Sequence, residues 1–254
     1  MILKVLGTVS PHCHKDNNCP GFLVTTKDTK ILLDCGNGIT RNLNYPEDLE
    51  NLIIIISHLH RDHYGDLFSL AYDSFVYHNL GLLKNRIKVY IPTQTSKETI
   101  YDYELITNLG EEEYLDIITY QQQETITQEN TKISFSPNPH SIPSYSIKIQ
   151  EGTQSLVYSG DTGYIGNTLE KFAAGTNLLI CESTFLKAQT RKKDFHLYAH
   201  EAAKIASTAN VDKLLLTHFW PDIEKEEYLK EALPIFQNTE IAVENKTLNL
   251  SKKQ

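Results

Sequence analysis

Short apolar segments and longer amphipathic segments alternate along the whole chain, and Gly, Pro, Asn or Asp bounds most of them. The short segments predict β-strands. They cover residues 2–6, 21–25, 30–34, 52–57, 88–91, 116–120, 132–136, 145–150, 155–158, 177–181, 213–217 and 240–243. The longer segments predict helices at residues 37–43, 66–77, 96–107, 165–173, 199–209 and 224–236.

The order of these elements limits the topology. The first strands follow one another in quick succession, as hairpins do, whereas the later strands alternate with helices. The polar stretch 121–128 predicts a loop or a weak strand, and the sequence contains no linker or repeat. The simplest solution is an α/β fold over residues 1–254, one domain in which helices flank two mixed β-sheets.

Composition narrows the classes of protein. Hydrophobic residues make up 40% of the 254 residues, and no apolar run is long enough to predict a membrane span. The N-terminal segment lacks the pattern of a signal peptide, so we expect a cytoplasmic protein. Four cysteines without a CxxC pair predict free thiols. A net charge of −8 argues against stable nucleic-acid binding, although bound metal ions would supply positive charge for a small anionic substrate.

The strongest motif is His58-Leu59-His60-Arg61-Asp62-His63, which directly follows an apolar strand. A loop at a strand end can turn three imidazoles and one carboxylate inward, and such positions often carry catalytic groups. Nitrogen-rich donor sets of this kind favour zinc, and manganese is also compatible. Chance is a poor explanation for so dense a cluster.

Three further residues with metal-binding side chains each follow an apolar strand, namely His140, Asp161 and His218. Together with the HLHRDH motif, this ordered set resembles the metallo-β-lactamase superfamily. The turn Leu33-Asp34-Cys35-Gly36 is similar to that family's LxDCG turn. The resemblance covers about residues 1–245 and implies an αββα sandwich.

The resemblance also implies a ligand set for two Zn²⁺ (or Mn²⁺) ions. His58, His60 and His140 would bind one metal ion. Asp62, His63 and His218 would bind the second, and Asp161 would bridge the two. Asp34 and Ser57 are expected to support ligands rather than to bind metal, since a carboxylate behind a ligating histidine fixes its tautomer.

Two later segments narrow the branch of the superfamily. The segments Leu179-Ile-Cys-Glu182-Ser-Thr-Phe185 and Phe195-His196-Leu-Tyr-Ala-His200 resemble the HEST and HxTxxxA segments of tRNA 3′-processing ribonuclease Z. His196 would then be a catalytic histidine, oriented by Glu182, which could instead orient His218. We interpret His200 as an exposed helix residue.

The chain differs from ribonuclease Z in lacking its Gly-rich basic arm, since residues 161–182 hold only one predicted helix and one strand. It resembles a shorter branch that includes bacterial and phage enzymes opening cyclic nucleotides, among them anti-Pycsar proteins, which serve immune evasion. A bacterial relative with another substrate is equally compatible. The expected location is the cytoplasm, that of the host if a phage encodes the chain.

The expected activity is hydrolysis of a small phosphodiester, with a 3′,5′-cyclic nucleotide favoured. The metal ions would activate a water that Asp62 holds or deprotonates, and His196 would protonate the leaving oxygen. Three alternatives stay open: a tRNA 3′-processing endoribonuclease, an ester, thioester or lactam hydrolase, and a protein that sequesters a nucleotide without cleaving it.

Two further features carry expectations. The loop containing His12-Cys13-His14 is a second metal site, a substrate contact or a plain surface loop. Segment 64–83 has more apolar residues than one core-facing stripe requires, which predicts a homodimer contact across a two-fold axis. The competing interpretation is that this helix is buried within its own subunit. Its apolar residues are Leu67, Phe68, Leu70, Ala71, Tyr72, Phe75, Val76, Tyr77 and Leu80.

Overall fold

The computed structural model describes residues 1–94, 96–109, 114–122 and 124–250, and within them it shows two seven-stranded β-sheets. The last residues of the expected domain, 251–254, lie outside this range. In the first sheet the strand order is β14-β1-β2-β3-β4-β5-β6. These strands are β14 (Thr247–Asn249), β1 (Ile2–Gly7), β2 (Gly21–Thr25), β3 (Lys30–Leu33), β4 (Leu52–Ile55), β5 (Ile87–Pro92) and β6 (Leu115–Tyr120).

The second sheet has the order β13-β12-β11-β10-β9-β8-β7. Strands β10 to β13 run parallel, and β7 to β10 pair antiparallel. The strands are β13 (Thr239–Ile241), β12 (Lys213–Thr217), β11 (Leu178–Glu182), β10 (Gln154–Tyr158), β9 (Tyr145–Glu151), β8 (Thr131–Pro137) and β7 (Thr125–Gln128).

The helices cover the outer faces of the two sheets. Helices α1 (Leu67–Asn79) and α2 (Ile100–Thr107) pack against the first sheet, where Leu70 and Ile106 join the same apolar cluster as Ile54. Helices α3 (Thr168–Phe172), α4 (Ala199–Ala209) and α5 (Lys225–Ala232) pack against the second sheet. No helix in the described part of the chain is both long and apolar enough to cross a membrane.

Side chains alternate between a helix-facing layer and a central layer. In β4, Ile54 packs towards the helices, whereas Ile53 and Ile55 meet Leu156 and Ile180 of the opposite sheet. A strand covered on both faces is buried throughout, which explains its continuous apolar sequence. The predicted αββα sandwich of two mixed sheets is therefore confirmed.

Several predicted element boundaries are wrong. Residues 37–43 form only a 3₁₀ turn, Ile39–Asn42, because Gly38 at its start has a left-handed backbone with φ of 87°. Helix α3 begins at Thr168 rather than at residue 165, after Gly166 with φ of 77°. Helix α5 ends two residues before Pro234, since proline restricts the residue before it and offers no N–H.

Helix α2 begins at Ile100 rather than at residue 96, following a turn in which the Thr99 amide bonds to the Ser96 carbonyl. Part of the polar stretch 121–128 is a strand, β7, which pairs with β8. The short strand β14 was not predicted; it is an edge strand of three residues. All four cysteines are free thiols, as predicted.

Candidate metal centre

The functional side chains gather where strands of both sheets end. Asp34 follows β3, the segment 57–63 follows β4, and Asp161, Glu182 and His218 lie at the ends of β10, β11 and β12. Carboxyl ends of neighbouring parallel strands meet at one edge, where open α/β sheets form their ligand sites.

The first cluster contains one ligand-type atom from each of His58, His60, His140 and Asp161, all within 4.8 Å of one another. The His60 Nδ1 atom lies 3.1 Å from the Nε2 atoms of both His58 and His140. The histidines thus present ring nitrogens to one common point.

In the second cluster, the ligand-type atoms of Asp62, His63 and His218 also lie within 4.8 Å of one another. The Nε2 atoms of His63 and His218 lie 3.3 Å apart, and Asp62 Oδ2 lies 3.6 Å and 3.8 Å from them, respectively. A hydrogen bond of 2.7 Å from the Ser10 hydroxyl holds the same Asp62 oxygen.

Asp161 lies between the clusters and presents one carboxylate oxygen to each. Its Oδ1 atom is 3.1 Å from His218 Nε2 and 3.4 Å from His63 Nε2, whereas Oδ2 is 3.4 Å from His58 Nε2. Oδ1 is buried and has no hydrogen-bond partner among the described residues. A buried carboxylate oxygen without a donor is costly unless a cation satisfies it.

The outward ring nitrogens of three histidines determine where their protons lie. His140 Nδ1 donates to the Phe195 carbonyl at 2.9 Å, and His63 Nδ1 donates to Asp34 Oδ2 at 2.6 Å. The Thr184 hydroxyl donates to Glu182 at 2.7 Å and therefore accepts the Nδ1–H of His218 at 2.8 Å. In each neutral ring the inward Nε2 then carries a lone pair, as a metal ligand requires.

Asp34 contacts two of the ligand-type residues, His63 directly and His58 through the Ser57 hydroxyl. Besides binding His63, its carboxylate accepts hydrogen bonds from the Ser57 amide (2.6 Å), the Ser57 hydroxyl (2.8 Å) and the Tyr158 hydroxyl (2.7 Å). Because the Ser57 hydroxyl donates to Asp34, it accepts the Nδ1–H of His58 at 3.0 Å. Asp34 and Ser57 thus contact ligand-type residues from outside the two clusters.

The electrostatics of the centre favour a bound cation. Burial lowers the pKa of His58 and His140, and it lowers that of His60 to about 4, so these rings are neutral. Burial alone would also lower the pKa of His63, but Asp161, Asp62 and Asp34 together raise it well above its usual range. The three carboxylates thus favour positive charge at the His63 side, where a bound cation would take the place of the proton.

The donor set fits a divalent metal. In the first cluster, the Nε2 atoms of His58 and His140 each lie 3.1 Å from His60 Nδ1, so a cation at their common point would be bound by all three rings. Imidazole nitrogen combined with carboxylate oxygen is a donor set typical of zinc. Among the described residues, His12 and His14 join no such cluster.

His196 forms a third group of ligand-type atoms with Asp161 and His218, all within 4.8 Å of one another. Its Nδ1 lies 3.0 Å from Glu182 Oε1 and 3.8 Å from Asp161 Oδ2, and its side chain is 26% exposed. Glu182 is buried and also accepts the amides of Thr162 (2.9 Å) and Leu197 (3.1 Å). Burial would raise the pKa of Glu182, but the neighbouring His196 lowers it. Burial would lower the pKa of His196, but Glu182 and Asp161 raise it to about 9.

The structure adds three residues to the predicted set. Thr184, Tyr158 and Ser10 contact His218, Asp34 and Asp62, respectively. Each is a hydroxyl residue with no metal-binding chemistry of its own, so only its distant partner reveals it. The only signal for Thr184 was its place in the HEST-like segment.

His200 was interpreted as an exposed residue, and this is wrong in part. Its side chain is 21% exposed, and its Nδ1 pairs with Glu231 Oε1 at 2.7 Å. The contact joins α4 to α5 and turns His200 away from the clusters.

Fold and centre together define a metal-dependent hydrolase. The model of the beta-lactamase superfamily domain matches residues 29–219, and the chain belongs to this family. A comparison with curated proteins finds the "Probable metallo-hydrolase YhfI" of Bacillus subtilis, 28% identical over 237 residues, which are 93% of this chain and 94% of the relative. Ribonuclease Z of Methanopyrus kandleri is 26% identical over 264 residues, covering 93% of each chain.

Solved structures show the same fold. The metallo-β-lactamase fold protein YhfI from Bacillus subtilis superposes with a TM-score of 0.86 at 24% identity, covering 98% of this chain and 99% of that one. The short form of human tRNase Z gives a TM-score of 0.75 at 20% identity, covering 99% and 100%, respectively. The expected resemblance to the ribonuclease Z-like branch is thereby confirmed.

Proposed function

We propose that this chain is a dinuclear zinc phosphodiesterase that hydrolyses a small phosphodiester, most favourably a 3′,5′-cyclic nucleotide. The observation that carries the proposal is the His196–Glu182 pair beside the metal-ligand clusters. The Nδ1–H of His196 donates to Glu182, so the Nε2 atom of His196 is the ring nitrogen that can reach a substrate. In this proposal, residues 1–254 form one hydrolase domain.

Phosphodiester cleavage releases an alkoxide, which needs a proton in the transition state. Glu182 and Asp161 raise the pKa of His196 to about 9 against the effect of burial, which favours the protonated ring. In this proposal His196 donates that proton to the leaving oxygen. A thioester substrate has less need of such a group, since a thiolate is easier to expel than an alkoxide.

The seven proposed metal ligands divide as the two clusters do. His58, His60 and His140 form one side and Asp62, His63 and His218 the other, with Asp161 between them. Two zinc ions held there would supply Lewis-acid activation of water and charge stabilisation of the phosphoryl group. Asp62, held by Ser10, orients the attacking water or accepts its proton. Mn²⁺ is compatible with the same donors.

The size of the substrate follows from what surrounds the centre. Residues 161–182 contain only α3 and β11 with their connections, which leaves no extended basic arm to grip an RNA. The net charge of −8 also disfavours a long polyanion. A small cyclic nucleotide needs only local positive charge. In a phage, opening such a signal would serve immune evasion in the host cytoplasm, as in anti-Pycsar proteins.

The test is a hydrolysis panel on zinc-loaded protein with 3′,5′-cyclic nucleotides, precursor tRNA, a lactam and a thioester. We expect cyclic nucleotides to be cleaved and His196→Ala to lower kcat by about 10²- to 10⁴-fold with zinc retained. His200→Ala is the matched control, since His200 pairs with Glu231 away from the centre. Cleavage of precursor tRNA alone would favour the ribonuclease Z alternative, which the curated relative of that name supports.

Three other outcomes would also contradict the proposal. Unchanged kcat in His196→Ala would remove the proton-donor role, and turnover of only the lactam or thioester would identify the other class of hydrolase. Tight cyclic-nucleotide binding without turnover in zinc-loaded protein would indicate sequestration.

We also propose that two copies of the chain form a homodimer through α1. Within this helix, Leu67, Leu70 and Ala71 are buried in their own subunit, as the competing interpretation required. However, Tyr72 and Leu80 are 66% and 65% exposed. Apolar side chains exposed in one patch indicate a surface that a partner covers. A second copy would bury the patch isologously and narrow the entrance to a shallow centre.

A further inference from the structure

A cavity of about 260 Å³ lies between the N-terminal loop and the segment that follows His218. Trp220 forms one wall, and His14 and Lys15 belong to the opposite one. Trp220 is the single tryptophan of the chain and is 39% exposed. An exposed indole in a concave site is a common means of binding a flat ligand.

The cavity is adjacent to the proposed metal centre along two chain segments, since Val9, which lines it, precedes Ser10, and Trp220 follows His218 by two residues. The Ser10 hydroxyl binds Asp62, and the Ser10 amide donates to the Phe219 carbonyl at 3.1 Å. The Phe219 amide donates in turn to the Thr8 carbonyl at 3.0 Å. Because Phe219 stands between His218 and Trp220, one hydrogen-bonded pair of segments connects the centre to the cavity.

The walls of the cavity are fixed by contacts within the protein. Lys225 Nζ donates to Thr8 Oγ1 at 2.9 Å and to Asn17 Oδ1 at 2.8 Å, which joins the N-terminal loop to the start of α5. The Trp220 amide donates to the Tyr228 hydroxyl at 3.1 Å. A preformed site loses less entropy when its ligand binds.

We propose that this cavity binds the nucleobase of the substrate, stacked on the Trp220 indole, while the phosphodiester lies at the metal centre. This inference rests on the proposed function and deepens it. Cavities for whole ligands usually measure about 300–1,000 Å³, so a space of about 260 Å³ suits part of a nucleotide. Every base has a π-face, so stacking on an aromatic ring tolerates different bases.

The charges of the cavity favour a base over a second phosphate. Glu224 and Glu226 line it together with Lys15 and Lys225. The two carboxylates balance the two lysines, so these four groups carry no net positive charge to attract a further phosphate, and the carboxylates can accept hydrogen bonds from the exocyclic amino group of adenine, cytosine or guanine. His14 and Lys15 can donate to ring nitrogens and carbonyl oxygens. The cavity thus matches a single nucleotide better than a continuing RNA chain.

The sole tryptophan permits a direct test that needs no turnover. Adenosine or cytidine titrated into zinc-loaded wild-type protein should change the Trp220 emission saturably, and ribose 5-phosphate should not. In kinetics, Trp220→Ala should raise KM for cyclic nucleotides about 5- to 150-fold, the range expected for one base–aromatic stack, with kcat little changed. Trp220→Phe should keep most of the affinity. Leu233→Ala, another exposed apolar side chain, is the control.

The outcomes separate this inference from the proposed function. Hydrolysis of cyclic nucleotides with unchanged Trp220 emission and unchanged KM in Trp220→Ala would refute the base site and leave the phosphodiesterase intact. Saturable quenching by adenosine without hydrolysis of any cyclic nucleotide would support the base site and refute the proposed substrate. An equal rise in KM for an abasic ribose cyclic phosphate would show that Trp220 does not act through the base.

Discussion

Replacing Thr184 with valine removes one hydroxyl from the proposed metal centre at nearly constant volume. That hydroxyl donates to Glu182 Oε2 at 2.7 Å and accepts the Nδ1–H of His218 at 2.8 Å. Thr184 is buried, so water does not readily replace the lost partner. His218 then keeps its ring but loses the contact that fixes its tautomer and orientation.

The expected magnitude follows from this contact. Loss of a hydrogen bond to the outer nitrogen of a metal-ligating histidine usually lowers metal affinity about 10- to 100-fold, or about 1.4 to 2.7 kcal/mol. Glu182 still accepts the amides of Thr162 and Leu197, so its position should change little. We therefore expect weaker zinc binding at the His218 side with the fold retained.

The assay is zinc competition against a chromophoric chelator, combined with thermal unfolding of the zinc-free protein. Thr184→Ser keeps the hydroxyl and should restore most of the affinity. Thr176→Val is the matched control, because Thr176 is also buried and its hydroxyl donates to the Ala173 carbonyl at 2.8 Å, far from any ligand-type residue in sequence. Wild-type zinc affinity in Thr184→Val, or an equal loss in Thr176→Val, would refute the reasoning.

Three further predictions test the centre and the assembly. Elemental analysis should find about two zinc ions per chain in the wild type. Asp161→Ala should lose more than one of these ions, whereas the control Asp116→Ala should lose none. A fully active protein with one zinc ion would contradict the proposal that Asp161 bridges two. Removing zinc with a chelator should lower the free energy of unfolding by roughly 4 kcal/mol for each zinc site, relative to free zinc at 1,000 times its Kd, and an unchanged melting temperature would show that the clusters bind no metal. Light scattering should give a dimer mass that Phe75→Glu reduces to a monomer and Lys230→Glu does not; a monomeric wild type would exclude the dimer.

The chemistry of the centre was accessible from sequence because much of it is contiguous. His58 to His63 occupy one loop, and each remaining ligand-type residue directly follows an apolar strand. The hydrophobic pattern located the strand ends to within one or two residues. This is enough to place such side chains at one edge of the two sheets. The αββα sandwich was also predictable, because a strand that is apolar on both faces, such as β4, indicates a sheet that is covered on both sides.

The contacts between distant segments were not accessible. Ser10 reaches Asp62 because the chain after β1 pairs with Phe219, a pairing that no local pattern encodes. Helix ends were misplaced where a glycine adopts a left-handed backbone, as Gly38 and Gly166 do. Which face of α1 is exposed also depended on tertiary packing, because its apolar residues surround most of the helix.

The backbone at two points of the centre shows why the site needs a partner for its charges. Asp34 and His218 have φ values of 57° and 63°, a left-handed conformation that costs a residue other than glycine of order 1–3 kcal/mol. This conformation occurs at the ends of β3 and β12, where both side chains contact the same His63 ring. Asp34, Asp161 and Glu182 are also buried, which adds the cost of desolvating carboxylates. Strain and buried negative charge at one strand edge are tolerated where a bound cation compensates them, and this is what the proposed zinc ions would do.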